Sequence, residues 1–592
     1  MAQAITSDNA TTSGKLALGG NLDASGTCHF RVWAPKAQRV ELKLQRKTAD
    51  NEQAEVIAMQ REDGGYFSLR TKVAAGDKYA YMVDAGSPLP DPVSRLLPDG
   101  VHGSTEIVDA DAFAWSDEHW RGLPLRDYII YELHVGTFTP ESTFDAAITK
   151  LGYLKNELGV TAIEIMPVAA FPGERNWGYD GVSLYAVQAS YGGPDGLKRL
   201  VNAAHQIGLA VVLDVVYNHL GNEGNYLRNF GPYFTDLHQT PWGEAVNYDA
   251  PGSEGVRRFV VENTLYWLRE YHIDGLRLDA VQTIQDDSPK HILAEIKEQA
   301  TEFSKESGRE ICVMAESDEN DSRLVRPPLR GGYGSDAFWS DDFHHCVHTL
   351  VTGERSGYYQ DFGKLEQLAK ALSEGYVFQG EEFAFWKRPR GTSAGDVPLP
   401  ANVICIQNHD QVGNRAKGER LSVLCSFAQR QAAAALLLLA PHTPLIFMGQ
   451  EWDETAPFLF FTSFTDPTLA SAVRKGRREE FKDFAWNEVP DPQDAETFTR
   501  SKLDWNLRHS ENPALDWYKA LIRLRKELVI PSERSCTAQA NDGVITMKLP
   551  VASPKVMVIA NLKGPKLPPV DAGWKVVLSA ADEKAAVVVA KR

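Results

Sequence analysis

Three features predict an α/β chain built on a closed (β/α)8 (TIM) barrel, with a β-sandwich before it and an antiparallel β-domain after it. Short apolar runs alternate with helix-like stretches between residues 128 and 449, and near-continuous apolar runs mark parallel strands buried on both faces. Eight such runs can be placed, the number that closes a barrel. Three of them end in acids, which apolar packing does not require but a barrel with its site at the C-terminal strand ends does.

Residues 1 to about 12 are small and polar and read as disordered. Residues 1–110 hold short alternating runs, among them Val40-Glu41-Leu42-Lys43-Leu44, Tyr66-Phe67-Ser68-Leu69 and Tyr79-Ala80-Tyr81-Met82-Val83, separated by turns such as Asp63-Gly64-Gly65. That spacing predicts the sandwich. Its aromatics fit core packing better than a sugar-stacking patch. The barrel domain is placed at 111–485, after a linker from Trp115 to Pro124. Its strands are expected at 128–135, 162–167, 210–218, 275–280, 311–316, 337–342, 402–409 and 443–449, with helices over 144–158 and 196–207 between the first three. Two connections are too long for turns: a loop lobe at 219–255 and a helical insertion at 354–400. Long loops at the catalytic end usually line a site. Residues 486–592 should supply a helical connection and the last β-domain, with helices near 468–482 and 513–528 around the boundary.

At 592 residues the chain exceeds one ordinary core, so several domains are expected. A formal net charge of -17 disfavours nucleic acid and anionic membranes as partners, since both reward clustered cations. No apolar stretch is long enough to span a bilayer, and the first residues carry no signal-peptide pattern. Cys28, Cys312, Cys346, Cys405, Cys425 and Cys536 are scattered without metal-ligand spacing, as small buried hydrophobes in a reducing cytoplasm would be. Neither a cofactor nor a metal is expected.

In Gly275-Leu276-Arg277-Leu278-Asp279 the alternation reads as a strand, so Arg277 and Asp279 share one face. Taken alone, the pair could be a structural salt bridge. Val313-Met314-Ala315-Glu316 and Val403-Ile404-Cys405-Ile406-Gln407-Asn408-His409-Asp410 deliver further acids at matching ends. Together with Asp214-Val215-Val216-Tyr217-Asn218-His219, these motifs resemble, in order, those of the α-amylase family of retaining glycoside hydrolases, over roughly residues 125 to 470. The phrase Phe30-Arg31-Val32-Trp33-Ala34-Pro35 and Asp91-Pro92 are similar to the N-terminal carbohydrate-module sandwich of branching and debranching relatives.

The resemblance implies that Asp279 is the nucleophile, Glu316 the acid/base and Asp410 the acid that grips the distorted sugar. Arg277 would hold Asp279 as a carboxylate, and the apolar residues before Glu316 would raise its proton affinity. By the same resemblance Tyr179 stacks on the sugar, His219 and His409 donate to its hydroxyls, and Asp214 and Asn218 support them from behind. Asp410 could instead cap the following helix.

Within the family, Trp339-Ser340-Asp341-Asp342-Phe343-His344-His345, Gly357-Tyr358-Tyr359 and Gly449-Gln450-Glu451-Trp452 resemble the branch that cuts the α-1,4 bond next to the terminal trehalose unit of maltooligosyl trehalose. Asp341, Asp342, His344 and Trp242 would then recognise the two glucoses beyond the cut. The Asp-Asp-Phe-His-His run could equally bind a metal. A glycogen debranching or branching enzyme is the nearest alternative. A non-catalytic sugar-binding homologue is another, although binding alone does not need all three acids.

Overall fold

The structure, a computed structural model, describes residues 16–47, 53–480, 489–509, 511–530 and 535–592. The N-terminal stretch expected to be disordered and the end of the helix expected near 468–482 lie outside the described residues or at their edge; that helix is described as Pro467–Glu480.

Two four-stranded antiparallel sheets form the N-terminal unit. In Thr27–Trp33 the residues Cys28, Phe30 and Val32 are buried while Thr27, His29 and Arg31 are half-exposed, the period of two that puts one face on a core. Leu42, Leu44, Tyr79 and Tyr81 meet them in that core.

Eight parallel strands then close a barrel: Ile130–Leu133, Ala162–Ile165, Ala210–Val215, Gly275–Leu278, Cys312–Glu316, Ala337–Trp339, Asn402–Cys405 and Thr443–Phe447. Each is shorter than the apolar run that predicts it; in all but Cys312–Glu316 the run continues into the catalytic-end loops. Ile130, Ala162, Val212, Met314, Trp339, Cys405 and Leu445 belong to one cluster inside the ring, so the barrel is a packed core and not a pore. The helix Phe144–Gly152 starts at Thr143, whose hydroxyl accepts from the Ala146 N–H, continues as a wider turn over Tyr153–Leu158 and stops at Gly159, with φ 95°.

Two excursions differ from expectation in kind. The lobe beyond the third strand folds into a one-turn helix, Leu227–Phe230, and a hairpin, Phe234–Thr240 with Gly243–Val246, with Trp242 at its turn. The insertion read as helical is helical only in its first half, at Leu365–Glu374. Its second half is a hairpin of Glu381–Phe383 and Arg388–Arg390. A five-stranded antiparallel sheet closes the chain, with the barrel helix Phe427–Leu439 packed against it. No helix among the described residues is long and apolar enough to cross a membrane.

Candidate active site

Parallel register builds the site. The third and fourth strands pair Asp214 with Arg277, and the fourth and fifth pair Leu278 with Ala315, so Asp279 and Glu316 leave neighbouring strands at the same level. Arg277 is fully buried, with its Nη1 2.8 Å from Asp214 Oδ2 and 2.7 Å from Asp279 Oδ1, and its Nη2 3.6 Å from Glu316 Oε2. Its guanidinium carbon lies 4.4 Å from the centroid of the Trp339 ring. The second oxygen of Asp279 accepts from Asn218 Nδ2 at 2.7 Å. One cation and one amide thus hold this carboxylate at the rim, where 9% of the residue is exposed.

Glu316 meets different surroundings. Burial pushes its proton affinity well above the usual carboxylate range; Arg277 opposes this, and Asp279, Asp410 and Asp341 add to it. Its Oε2 accepts the Ala280 N–H at 2.6 Å. That donor is aimed by an unusual backbone, since Ala280 has φ 40°, a left-handed conformation rare for a residue with a side chain. A carboxylate held by cation and amide beside an acid that keeps its proton is the division of labour a retaining displacement needs.

Asp410 is the most open of the three acids, with 39% of its side chain exposed. Capping of the helix His409–Gly413 falls to Asn408, whose Oδ1 accepts from Gln411 N, and this leaves Asp410 to face the cleft. His409 sits behind it, with Nε2 2.7 Å from the Tyr179 hydroxyl and Nδ1 2.5 Å from Glu132 Oε1. Burial works against its charge, but Asp410 and Glu132 outweigh burial and push its pKa up to about 9. Tyr179 donates to Asp214 Oδ2 at 2.7 Å and lays its ring on His409, centroids 5.2 Å apart.

Other expected sugar contacts need correction. The Nε2 of His219 donates to the Tyr179 carbonyl at 3.0 Å, and its Nδ1 lies against Asn218, so its ring nitrogens face protein. What it offers is a platform for Trp242, stacked on it at 4.3 Å and 47% exposed. The sixth strand ends at Trp339 and Asp342 opens a helix, Asp342–Thr352. Residues there diverge by about 100° per step instead of alternating, so Asp341, Asp342 and His344 do not share a face. Asp341 remains half-exposed and accepts from Gln411 Nε2 at 3.1 Å; burial, opposed by Arg390, and nearby Asp318 and Asp410 raise its pKa to about 7. Asp342 is fully buried, 2.8 Å from Arg390 Nη1 and accepting from Val377 N and Asn320 Nδ2. His344 is buried between the Ile406 carbonyl and the Tyr359 hydroxyl, and burial lowers its pKa far enough to keep it neutral. Neither Asp342 nor His344 reaches the cleft, and the metal reading of this run loses its ligands to those partners.

Glu132 is the site residue that sequence reading missed. An acid in the apolar run Ile129-Ile130-Tyr131-Glu132-Leu133 was the available signal. Among the described residues, one trio, His238, Asp249 and Asp287, brings three ligand-type atoms within 4.8 Å of one another. It could hold a divalent cation, but it belongs to the lobe and to the loop after the fourth strand. Exhaustive chelation is therefore expected to leave turnover unchanged, because two carboxylates suffice for the displacement; loss of activity that calcium restores would contradict this. A cavity of about 610 Å³ lined by Trp115, His272 and Arg309 lies by the C-terminal ends of barrel helices, away from the acids.

Residues 134–239 match the alpha amylase catalytic domain, and residues 17–113 match carbohydrate-binding module 48, the isoamylase N-terminal domain. The chain is 47% identical over 534 residues to the malto-oligosyltrehalose trehalohydrolase of Saccharolobus solfataricus, covering 90% of this chain and 91% of that one. It is 44% identical over 545 residues to the enzyme of the same name from Arthrobacter ramosus, covering 90% and 93%. A crystal structure of a putative alpha amylase from Salmonella typhimurium superimposes with a TM-score of 0.88 at 40% identity, covering 97% of this chain and all of that one. Barrel, acids and relatives agree, and the chain belongs to the malto-oligosyltrehalose trehalohydrolases, a branch of the α-amylase family of glycoside hydrolases.

Proposed function

We infer that the enzyme hydrolyses the α-1,4-glucosidic bond next to the terminal trehalose unit of maltooligosyl trehalose and releases free trehalose with retention at the cleaved carbon. The observation that carries the chemistry is the unlike pair Asp279 and Glu316, one ion-paired to Arg277 and the other biased to keep its proton. Asp279 attacks the anomeric carbon while Glu316 protonates the departing oxygen. Glu316 then takes a proton from the water that releases the glycosyl enzyme. Asp410, backed by His409, binds the hydroxyls of the distorted ring as positive charge develops, and Trp242 on its hairpin stacks against the sugar chain. No disulfide links the six cysteines, all of which lie in the described residues, and this supports a reducing cytoplasm. The test is product analysis: maltooligosyl trehalose should yield trehalose far faster than plain maltooligosaccharide is cut. Equal rates, or release of side chains from glycogen, would favour a debranching reading.

Asp341 supplies the choice of substrate in this reading. It is an acceptor on the wall shared by Glu316 and Asp410, and a buried polar group left unpaired by the wrong ligand discriminates better than an apolar pocket. Asp341→Asn should lower kcat/KM for maltooligosyl trehalose more than for a maltooligosaccharide, narrowing their ratio by about 10-fold. An unchanged ratio would move recognition to Trp242 and its hairpin.

A further inference from the structure

Two glutamates stand side by side on the first and second barrel strands, Glu132 in register with Glu164. Both are 1% exposed, yet they live differently. The Glu132 carboxylate takes the His409 backbone N–H at 3.1 Å on one oxygen and the ring Nδ1 at 2.5 Å on the other. Both Glu164 oxygens are buried without a hydrogen-bond partner. Burial pushes the Glu164 proton affinity far up, and neighbouring Glu132 and Asp214 push it further. Burial and its neighbours therefore keep the proton on Glu164, while both Glu132 oxygens serve as acceptors for His409.

From Glu132 a chain of hydrogen bonds runs to the nucleophile. His409 Nε2 meets the Tyr179 hydroxyl, which donates to Asp214; Asp214 accepts from Arg277, and Arg277 donates to Asp279. His409 Nε2 also lies 3.3 Å from Asp410 Oδ2. We propose that Glu132 is a positioning residue for the reaction, clamping the ring and backbone of His409 so that the imidazole presents a fixed Nε2–H to Asp410 and Tyr179. This rests on the reading that His409 and Asp410 serve the sugar at the cleavage point. Glu132 itself touches neither the sugar nor the reacting atoms.

The charge on His409 has a definite set of neighbours. Glu132 reaches it from the first strand, Asp410 from its own helix and Arg277 from the fourth strand. Asp214, Glu164 and His134 face it from the third, second and first strands. Arg277 opposes the charge, His134 is kept neutral by burial, with its pKa down at about 4, and Asp410 and Glu132 favour the charge most. With Glu132 replaced by an amide, His409 loses one of the two groups that hold its charge against burial, and its pKa drops below about 9. Over the pH range just below about 9 the mutant's ring loses its proton where the native ring keeps it.

The experiment is kcat/KM for maltooligosyl trehalose between pH 5 and 9 in native enzyme, Glu132→Gln, Glu164→Gln and His409→Gln. Glu132→Gln should lose about 10- to 100-fold, the usual cost of removing the partner that orients a functional imidazole, and its ratio to native enzyme should worsen as pH rises through neutrality. Glu164→Gln, an amide in place of a neutral acid, should stay within about 2-fold. A Glu132→Gln ratio flat across pH, or a Glu164→Gln loss as large as that of Glu132→Gln, would overturn the proposal by reducing both residues to barrel packing. Should Glu132→Gln not fold, Glu132→Asp carries the test: it keeps the charge but shortens the reach, so its loss should be independent of pH, and a pH-dependent loss overturns the proposal. The underlying reading fails separately, if His409→Gln is as active as native enzyme. A damaged His409→Gln beside an unaffected Glu132→Gln sinks only the inference about Glu132.

Discussion

Asp279→Asn is expected to lose more activity than any other single change in the cleft while folding normally. The amide has the shape of the carboxylate and keeps one acceptor oxygen for Arg277, but its NH2 cannot accept from Asn218 and it cannot form the glycosyl intermediate. Glu316→Gln removes only proton transfer, worth roughly 10² to 10⁴ in rate, so Asp279→Asn should exceed that loss on the natural substrate. The two variants also separate on activated substrates. A leaving group that needs no protonation should restore the first step in Glu316→Gln and do nothing for Asp279→Asn. Near-normal turnover by Asp279→Asn would remove it from the role of nucleophile.

The second large effect is on stability. Arg277→Met takes away the cation ion-paired to Asp214, Asp279 and Glu316 and leaves those acids facing one another in the barrel mouth. Breaking a buried pair by removing one partner costs about 3–5 kcal/mol. Asp214 already has its pKa raised to about 6, by burial, with Arg277 opposing the rise; without Arg277 it climbs further. A carboxyl whose folded pKa lies above its unfolded value destabilises the fold where the unfolded chain is ionised, and the penalty fades as pH falls towards the ordinary value. The mutant's deficit in denaturant midpoint should therefore be larger at pH 8 than at pH 5. An unchanged midpoint, or a deficit that grows on acidification, would contradict this account of Arg277.

The barrel was legible because buried parallel strands write themselves as apolar runs, and all eight fall inside the runs that predict them. Arg277 and Asp279 were legible as a pair because strand alternation is a rule of local geometry. Asp342 and His344 were misplaced because the resemblance set them beyond a strand expected to run to 342, whereas the strand ends at Trp339 and a helix begins at Asp342. Ser340-Asp341-Asp342 carries a helix-start signal, with Asp341 at the cap position, and it was outweighed by the apolar run before it. The hairpin at Glu381–Phe383 and Arg388–Arg390 was hidden because each strand is three residues long, too short to show alternation. Glu132 was hidden differently: its role depends on a histidine 277 positions away, and only the closed barrel brings them together.

The two hairpins beside the cleft form sheets of their own, and neither contributes a strand to the barrel. Backbone that carries the reaction and backbone that surrounds the sugar are therefore hydrogen-bonded separately, which makes the surround exchangeable. A lineage can lengthen, shorten or graft the hairpin bearing Trp242 without cutting a barrel hydrogen bond, and so change its diet while its chemistry stays still. The second hairpin is less free, because Arg390 is tied to the buried carboxylate of Asp342. Any replacement there has to bring its own cation or leave a buried charge alone. Of the two, the hairpin bearing Trp242 is the part of this fold that can diverge first.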